Sequence, residues 1–321
     1  MNTNRAALII GIDDYHFAPL AGCVNDARKM AAILSRHEDG TPNFDCQVIV
    51  SSTSEHRPIE RATLKEAVTT LCSLNSEVAL FYFSGHGTAN NLGGYLVTHD
   101  AKRYDEGMPL TDVLTLARKS VAREVIVILD CCHSGELGQL PQIDNDSAVL
   151  REGVSILTAS RASQEAVEVG GGGLFTSIVA DALTGGAVDV LGNVTVAAVY
   201  AYVDQALGVW EQRPLFKSHV SQFTPLRKCN PPIDVEILRL LPTYFPNAYY
   251  DFPLDPSFEP TAEPGHDEHE KIFGHLQRLR ATRLVVPVGE EHMYYAAVNS
   301  KWCRLTPLGR FYWSLAEANR L

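Results

Sequence analysis

The sequence predicts an α/β fold, a mostly parallel six-stranded sheet between helices, followed by a small α+β module. Three observations carry this. From residue 6 to about 228, apolar runs of strand length alternate with amphipathic segments, which is the pattern of a sheet covered by helices on both faces. Those runs are apolar throughout, as suits strands buried on both sides. After Lys228 the composition shifts, with prolines at 231, 232, 242, 246, 253, 256, 260 and 264 before regular patterning resumes. The expected organisation is therefore 1–228 as the main domain, 229–265 as a Pro-rich linker or an arm on it, and 266–321 as a second, winged-helix-like domain.

The elements follow in order. Strands are expected in AALIIGID (6–13), CQVIVSS (46–52), EVALFYFS (77–84), EVIVILD (124–130), VSILTAS (154–160) and PLFKSHV (214–220). After Asn25, DARKMAAILSRH sets Ala27, Met30, Ala31 and Leu34 on one helical face. Thr63 is the expected cap of LKEAVTTLCSL and Thr111 of DVLTLARKS. Two further helices are expected in FTSIVADALTG and VAAVYAYVDQAL. Beyond the prolines, Ile272, Phe273, Leu276 and Leu279 stripe one helix, LVVPVG and MYYAAV read as a hairpin, and Thr306 with Pro307 starts a last helix.

At 321 residues the chain can bury a large core without staples. Its seven cysteines, an odd number without paired CxxC spacing, point to a reducing compartment. The N-terminal apolar run is short and ends in two acids, unlike a signal peptide, and nothing approaches a membrane span, so the expected location is the cytoplasm. A net charge of −11 opposes non-specific attraction to nucleic acid and suits a basic peptide.

Two strands end in unusual punctuation. ALFYFSGHG sets His86 between two glycines, and VIVILDCCHSG delivers Asp130, Cys131 and Cys132. At the carboxyl ends of strands in an open α/β sheet, loops gather into a site. A histidine there can take the proton of a thiol and later protonate a leaving amine. Glycines beside it leave N–H groups accessible to an oxyanion. Residues 128, 130 and 132 share a side if the strand continues, so Asp130 and Cys132 can face one cleft.

His86 precedes Cys132 by 46 residues. SGHG (84–87), DCCHSG (130–135), ALIIGID at the start and GCVND (22–26) together resemble the caspase-like cysteine peptidases, most closely the prokaryotic metacaspase-like branch. The resemblance runs from about Arg5 to Arg227 and includes LTASRASQEA and RPLFKSHVSQF. It implies a caspase-like sandwich, His86 and Cys132 as the catalytic pair, and an oxyanion site made by the backbone N–H groups of Gly87 and Cys132. It also implies an acidic S1 pocket of Asp26 and Asp130, walled by Cys23 and Ser84. The caspase signature QAC[RQG]G is absent. An acid pair in a cleft costs desolvation unless a cation joins it, so cleavage after Arg is expected, with Lys second. Relatives in prokaryotes often act in defence or cell death.

Plainer readings stand beside these. Cys131 is buried filler, His133 points away from the nucleophile, and Asp26 caps the helix that follows it. Some relatives bind calcium. Here Asp100, Asp105, Glu106 and Asp112 lack a consecutive acid pair near LTDVL, so no cofactor is expected and calcium is the alternative. GGGG (170–173) reads as a substrate loop, and Arg151 as an exposed self-cleavage site. In the C-terminal module, Lys271, Arg278, Arg280, Arg283, Lys301, Arg304 and Arg310 raise DNA binding, but Glu290, Glu291 and the acidic linker favour docking of a regulatory protein. The rival to a peptidase is a DNA-binding regulator with an inactive caspase-like sensor domain.

Overall fold

The long apolar runs of the first 228 residues become neighbours in one sheet of six strands, ordered β12-β8-β7-β3-β1-β2. In chain order the elements are β1 (Arg5–Ile12), α1 (Cys23–Leu34), β2 (Asp45–Ser51), α2 (Arg61–Ser73), β3 (Val78–Ser84), β4 (Gly87–Asn90), β5 (Gly93–Lys102), β6 (Asp105–Pro109), α3 (Leu110–Lys119) and β7 (Glu124–Asp130). There follow β8 (Val154–Thr158), β9 (Glu168–Val169), β10 (Gly172–Gly173), α4 (Leu174–Asp181), β11 (Asn193–Val194), α5 (Val196–Leu207), β12 (Leu215–His219) and β13 (Arg227–Lys228). The structure, a computed structural model, describes residues 4–52, 54, 57–91, 93–103, 105–131, 150–159, 168–169, 172–207, 214–261 and 265–321.

Five strands of the large sheet are parallel, and β12 closes it antiparallel to β8. Strand alternation divides the core into two layers. Leu8, Ile10, Phe81, Phe83, Val127 and Leu129 pack with α2 and α3 on one face. Ala7, Ile9, Leu80, Tyr82, Ile126 and Ile128 pack with α1, α4 and α5 on the other. Burial on both faces explains why these strands carry no polar alternation.

Local signals failed in two places. The helix caps expected at Thr63 and Thr111 are instead Glu60 and Pro109, with no side-chain cap at either. For α2 the cap comes from far along the chain, since the Arg61 N–H donates to Asp100 Oδ1 at 3.0 Å. The second sheet, β4-β5-β6, was not anticipated. Its strands are short or glycine-bearing, and β5 pairs with β6 across an irregularity in register, which weakens the period-2 signal.

The chain divides into two compact units, residues 1–188 with 193–230, and 189–192 with 231–321. The second unit contains α6 (Val235–Arg239), α7 (Leu241–Tyr244), β14 (Asp251–Pro253), α8 (Asp267–Ala281), β15 (Val285–Val288), α9 (Met293–Val298), β16 (Trp302–Leu305) and α10 (Pro307–Glu317). Its antiparallel sheet is ordered β14-β16-β15.

The stretch expected as a linker or arm is instead part of this unit. Ile233, Ile237, Leu238, Leu241, Tyr244, Phe245, Leu254 and Phe258 share one core with Phe273, Leu276 and Leu279 of α8. Three of its prolines sit where no backbone N–H is needed: Pro242 in the first turn of α7, Pro253 on the edge strand β14, and Pro256 opening a short 3₁₀ turn. MYYAAV, expected as a strand, forms α9, because Met293, Ala296 and Ala297 bury one face at helical spacing. The partner of β15 is WCRL, β16. The last helix starts as expected, with Thr306 Oγ1 accepting the Gly309 N–H at 3.0 Å and Pro307 in its first turn.

Candidate active site

Parallel strands β3 and β7 lie side by side, with Ser84 opposite Asp130 at their carboxyl ends. Even-numbered residues of both strands face α1 and α4, so Ser84 and Asp130 continue the row of Tyr82 and Ile128 toward those helices. Odd-numbered Cys131 turns to the opposite face, where it is buried among apolar side chains. Cys132 and His133 lie outside the described residues.

On the even face, two acids meet the start of α4. Asp26, on α1, accepts the Gly173 N–H on Oδ2 at 2.8 Å. Asp130 Oδ2 accepts both the Thr176 N–H, at 3.3 Å, and the Thr176 hydroxyl, at 2.5 Å. Because the Thr176 proton goes to the carboxylate, the Tyr82 hydroxyl, 2.6 Å from Thr176 Oγ1, donates to Thr176. Burial raises Asp26 to about 6; the Gly173 N–H opposes that shift and the charge of Asp130 adds to it. Gly172 and Gly173 are glycines because a Cβ on the first would stand 2.6 Å from Asp26 Oδ1, and one on the second would collide with Asp130 Oδ2. So half of GGGG, the expected substrate loop, lies against the two acids.

The capping role weighed for Asp26 belongs to another residue. Asp13, just past β1, accepts the Cys23 N–H at 2.8 Å and the Val24 N–H at 3.4 Å, so it satisfies the start of α1. Cys23 and Ser84 are both buried beside the acids, and the Cys23 thiol is pushed far up by burial, with a hydrogen bond to Ser84 opposing the shift. Burial of this kind keeps the thiol protonated and unreactive.

His86 leaves the end of β3 half-buried. Its Nε2 lies 2.7 Å from the Ala18 carbonyl. A carbonyl can only accept, so Nε2 carries the proton and the lone pair sits on Nδ1, the tautomer required of a general base acting through Nδ1. Tyr15 and Phe17 flank the ring, with centroids 4.6 and 6.0 Å away. Gly87 pairs with Leu96, and because His86 and Val97 form the adjacent hydrogen-bonding pair, the alternation of an antiparallel ladder turns the Gly87 N–H away from β5.

Arg151 is not the exposed site expected. Its guanidinium donates to the carbonyls of Ala122 at 2.6 Å, Glu152 at 2.8 Å and Ala117 at 3.3 Å, clamping the last turn of α3. Of the four acids considered for calcium, three have partners in the structure. Asp105 pairs with Arg61 at 2.7 Å, Asp112 with Lys65 at 2.9 Å, and Asp100 accepts the Thr98 hydroxyl. Among the described residues no three His, Cys, Asp or Glu converge as metal ligands.

Sequence reasoning missed Asp13, Tyr15, the Ala18 carbonyl, Thr176 and Tyr82. Of these only Tyr15 left a hint, as the first residue of an aromatic cluster, YHF, just past a strand end.

The family model of the caspase domain, Peptidase_C14, matches residues 4–224. The chain belongs to the caspase-domain peptidase family. Within that family, Metacaspase-2 of Trypanosoma brucei brucei is 27% identical over 154 residues, covering 42% of this chain and 43% of that protein. Metacaspase-3 of the same organism is also 27% identical, covering 42% of each chain. The chain thus spans less than half the length of these curated relatives. Two solved structures are similar with TM-score 0.49: protein GSU0716 from Geobacter sulfurreducens, at 16% identity over 68% of this chain and 94% of that one, and Caspase-1 from Spodoptera frugiperda, at 11% over 71% and 91%. No described helix is long and apolar enough to cross a membrane.

Proposed function

We propose that this caspase-domain protein is a cysteine endopeptidase of metacaspase type, cleaving protein substrates after arginine and, less well, lysine. The observation that carries the reading is the buried acid pair, Asp26 on α1 and Asp130 at the end of β7, the strand beside the one that leads into His86. Two adjacent carboxylates, one of them raised to about 6 by burial and further by its neighbour, make an acidic site whose chemistry suits a basic side chain. A guanidinium can bridge both with parallel N–H donors, whereas an ammonium offers a single point charge.

In the proposed reaction Cys132 transfers its thiol proton to Nδ1 of His86, while the Ala18 carbonyl holds Nε2–H. The thiolate attacks the carbonyl carbon of the bound arginine itself, and the oxyanion is met by the N–H groups of Gly87 and Cys132. His86 then gives its proton to the departing amine, leaving a thioester. Water, deprotonated by the same imidazole, hydrolyses that ester and restores the thiol.

For the second unit we propose protein docking. Its arginines are largely spent at home: Arg278 pairs with Asp234, Arg304 with Asp251 and Arg239 with Glu236, while Arg310 lies over the Tyr249 ring. Lys271, Arg280 and Arg283 stay exposed, but the paired arginines are partly neutralised toward a phosphate backbone. The β-sheet instead exposes Trp302, in cross-strand register with Pro253 and Val288.

Fluorogenic peptides ending in Arg, Lys or Asp test the catalytic reading on the full chain. Arg is expected to exceed Lys and both to exceed Asp, with Cys132→Ala and His86→Ala silent. Activity retained by Cys132→Ala would reject it.

A further inference from the structure

The antiparallel ladder between His86 and Val97 contains a foreign atom. The Val97 N–H donates to the His86 carbonyl at 3.0 Å, as one half of a hydrogen-bonded pair requires. The other half, His86 N–H to Val97 carbonyl, is not closed directly. The Tyr15 hydroxyl stands in the gap, accepting the His86 N–H at 3.0 Å and donating to the Val97 carbonyl at 3.2 Å. A phenol can do both at once, whereas neither a phenylalanine nor an aliphatic residue can. Tyr15 is fully buried, its ring packs 4.6 Å from the His86 imidazole, and burial pushes its own ionisation well above the ordinary range. It is a neutral hydrogen-bonding wedge at the backbone of the histidine.

Gly85 is the counterpart of this wedge. A Cβ there would come within 2.5 Å of the Tyr15 oxygen, so the glycine before His86 makes room for the hydroxyl. Backbone and ring of His86 are then held from separate sides: the main chain by Tyr15 and Val97, Nε2 by the Ala18 carbonyl.

Resting on the proposed Cys132/His86 chemistry, we infer that Tyr15 is a positioning residue for His86. Its hydroxyl sets the His86 main chain at the spacing that lets Nε2 reach the Ala18 carbonyl and so fixes the direction of Nδ1. Removing the hydroxyl lets His86 and Val97 close up or leaves both groups unsatisfied, and either moves the imidazole. Displacement of a catalytic group by a fraction of an ångström costs the chemical step, not substrate binding at the acid pair.

The test is steady-state hydrolysis of an Arg fluorogenic peptide by wild type, Tyr15→Phe, Gly85→Ala, the double variant and His86→Ala, with melting curves for each. Tyr15→Phe and Gly85→Ala are each expected to lower kcat about 10- to 100-fold with KM within about twofold. Gly85→Ala, which acts on the same hydroxyl while keeping it, is expected to cost less in the Tyr15→Phe background than in wild type. If wild type cleaves the Arg peptide and His86→Ala does not, yet Tyr15→Phe retains wild-type kcat, the positioning role is overturned and the catalytic reading stands. A loss carried by KM, or fully additive effects of the two substitutions, overturns it as well. If His86→Ala keeps wild-type activity, the underlying reading falls first.

Discussion

Asp26 should be an acid that the fold would be more stable without. Its folded-state pKa is raised from 3.8 to about 6, chiefly by burial and further by Asp130. The native state therefore binds that proton more tightly than the unfolded chain, and ionising the group destabilises the fold. The penalty is fully present above about pH 6, fades as pH falls toward 4, and is absent below the unfolded value. A shift of about two units corresponds to about 3 kcal/mol, which we discount to about 1–2 kcal/mol for hydration remaining around the carboxylate. Asp26→Asn keeps an oxygen for the Gly173 N–H and turns the repulsion from Asp130 into an amide contact. At pH 7.5 the variant is expected to melt roughly 3–6 °C above wild type. At pH 5 about half the difference should remain, and near pH 4 almost none. In the same preparation kcat/KM for an Arg peptide should fall about 10- to 100-fold, since one charge-assisted partner of the guanidinium is lost. Differential scanning fluorimetry across pH 4–8 reads the first effect and initial rates the second. A variant less stable than wild type at pH 7.5, or a difference that does not change with pH, would refute the reasoning.

Three further substitutions address the surroundings. Gly173→Ala drives a Cβ into Asp130 Oδ2, so kcat/KM for Arg peptides should drop at least about tenfold, while alkylation of Cys132 by iodoacetamide, which needs no S1 pocket, keeps its wild-type rate. Thr176→Val removes the link between the Tyr82 hydroxyl and Asp130; chemical denaturation should show a loss of about 1–2 kcal/mol from the hydrogen bonds removed, with a raised KM for Arg. Arg151→Ala frees three carbonyls near the end of α3 and should destabilise the protein by about 2–3 kcal/mol, and mass spectrometry of active wild type should find the chain intact after Arg151.

The large sheet was legible because buried parallel strands announce themselves by apolar length alone. β1, β3 and β7 also alternate between two cores, and that parity was enough to set Asp130 apart from Cys131 before any coordinates. Elements whose partners lie far away were not legible. The start of α2 is satisfied by Asp100, 39 residues on, so the local cap rule had nothing to detect. α9 is six residues long, too short for helical and strand periods to differ. The Pro-rich stretch reads as a linker because sequence does not show which prolines fall where no N–H is needed, as Pro242, Pro253 and Pro256 do.

The site divides along the same line. His86, Asp26 and Asp130 carry their chemistry in side chains and could be named from motifs. The groups that orient them are backbone atoms or distant hydroxyls. The Ala18 carbonyl lies 68 residues from His86, the Tyr15 hydroxyl 71, and the Gly173 N–H 147 from Asp26. No local pattern marks a carbonyl as the orienting partner of a histidine, and Tyr15 reads as one more core aromatic until the hydrogen bonds are traced.

The most direct measurement is the ratio of kcat/KM for matched Arg and Asp fluorogenic peptides, taken on wild type, Asp26→Asn and Cys132→Ala at pH 7.5. Wild type should favour Arg by at least about a thousandfold, Asp26→Asn should shrink that ratio tenfold or more, and Cys132→Ala should cleave neither. A wild-type preference for Asp, or an Arg preference untouched by Asp26→Asn, would contradict the assignment of the acid pair to the substrate's basic side chain.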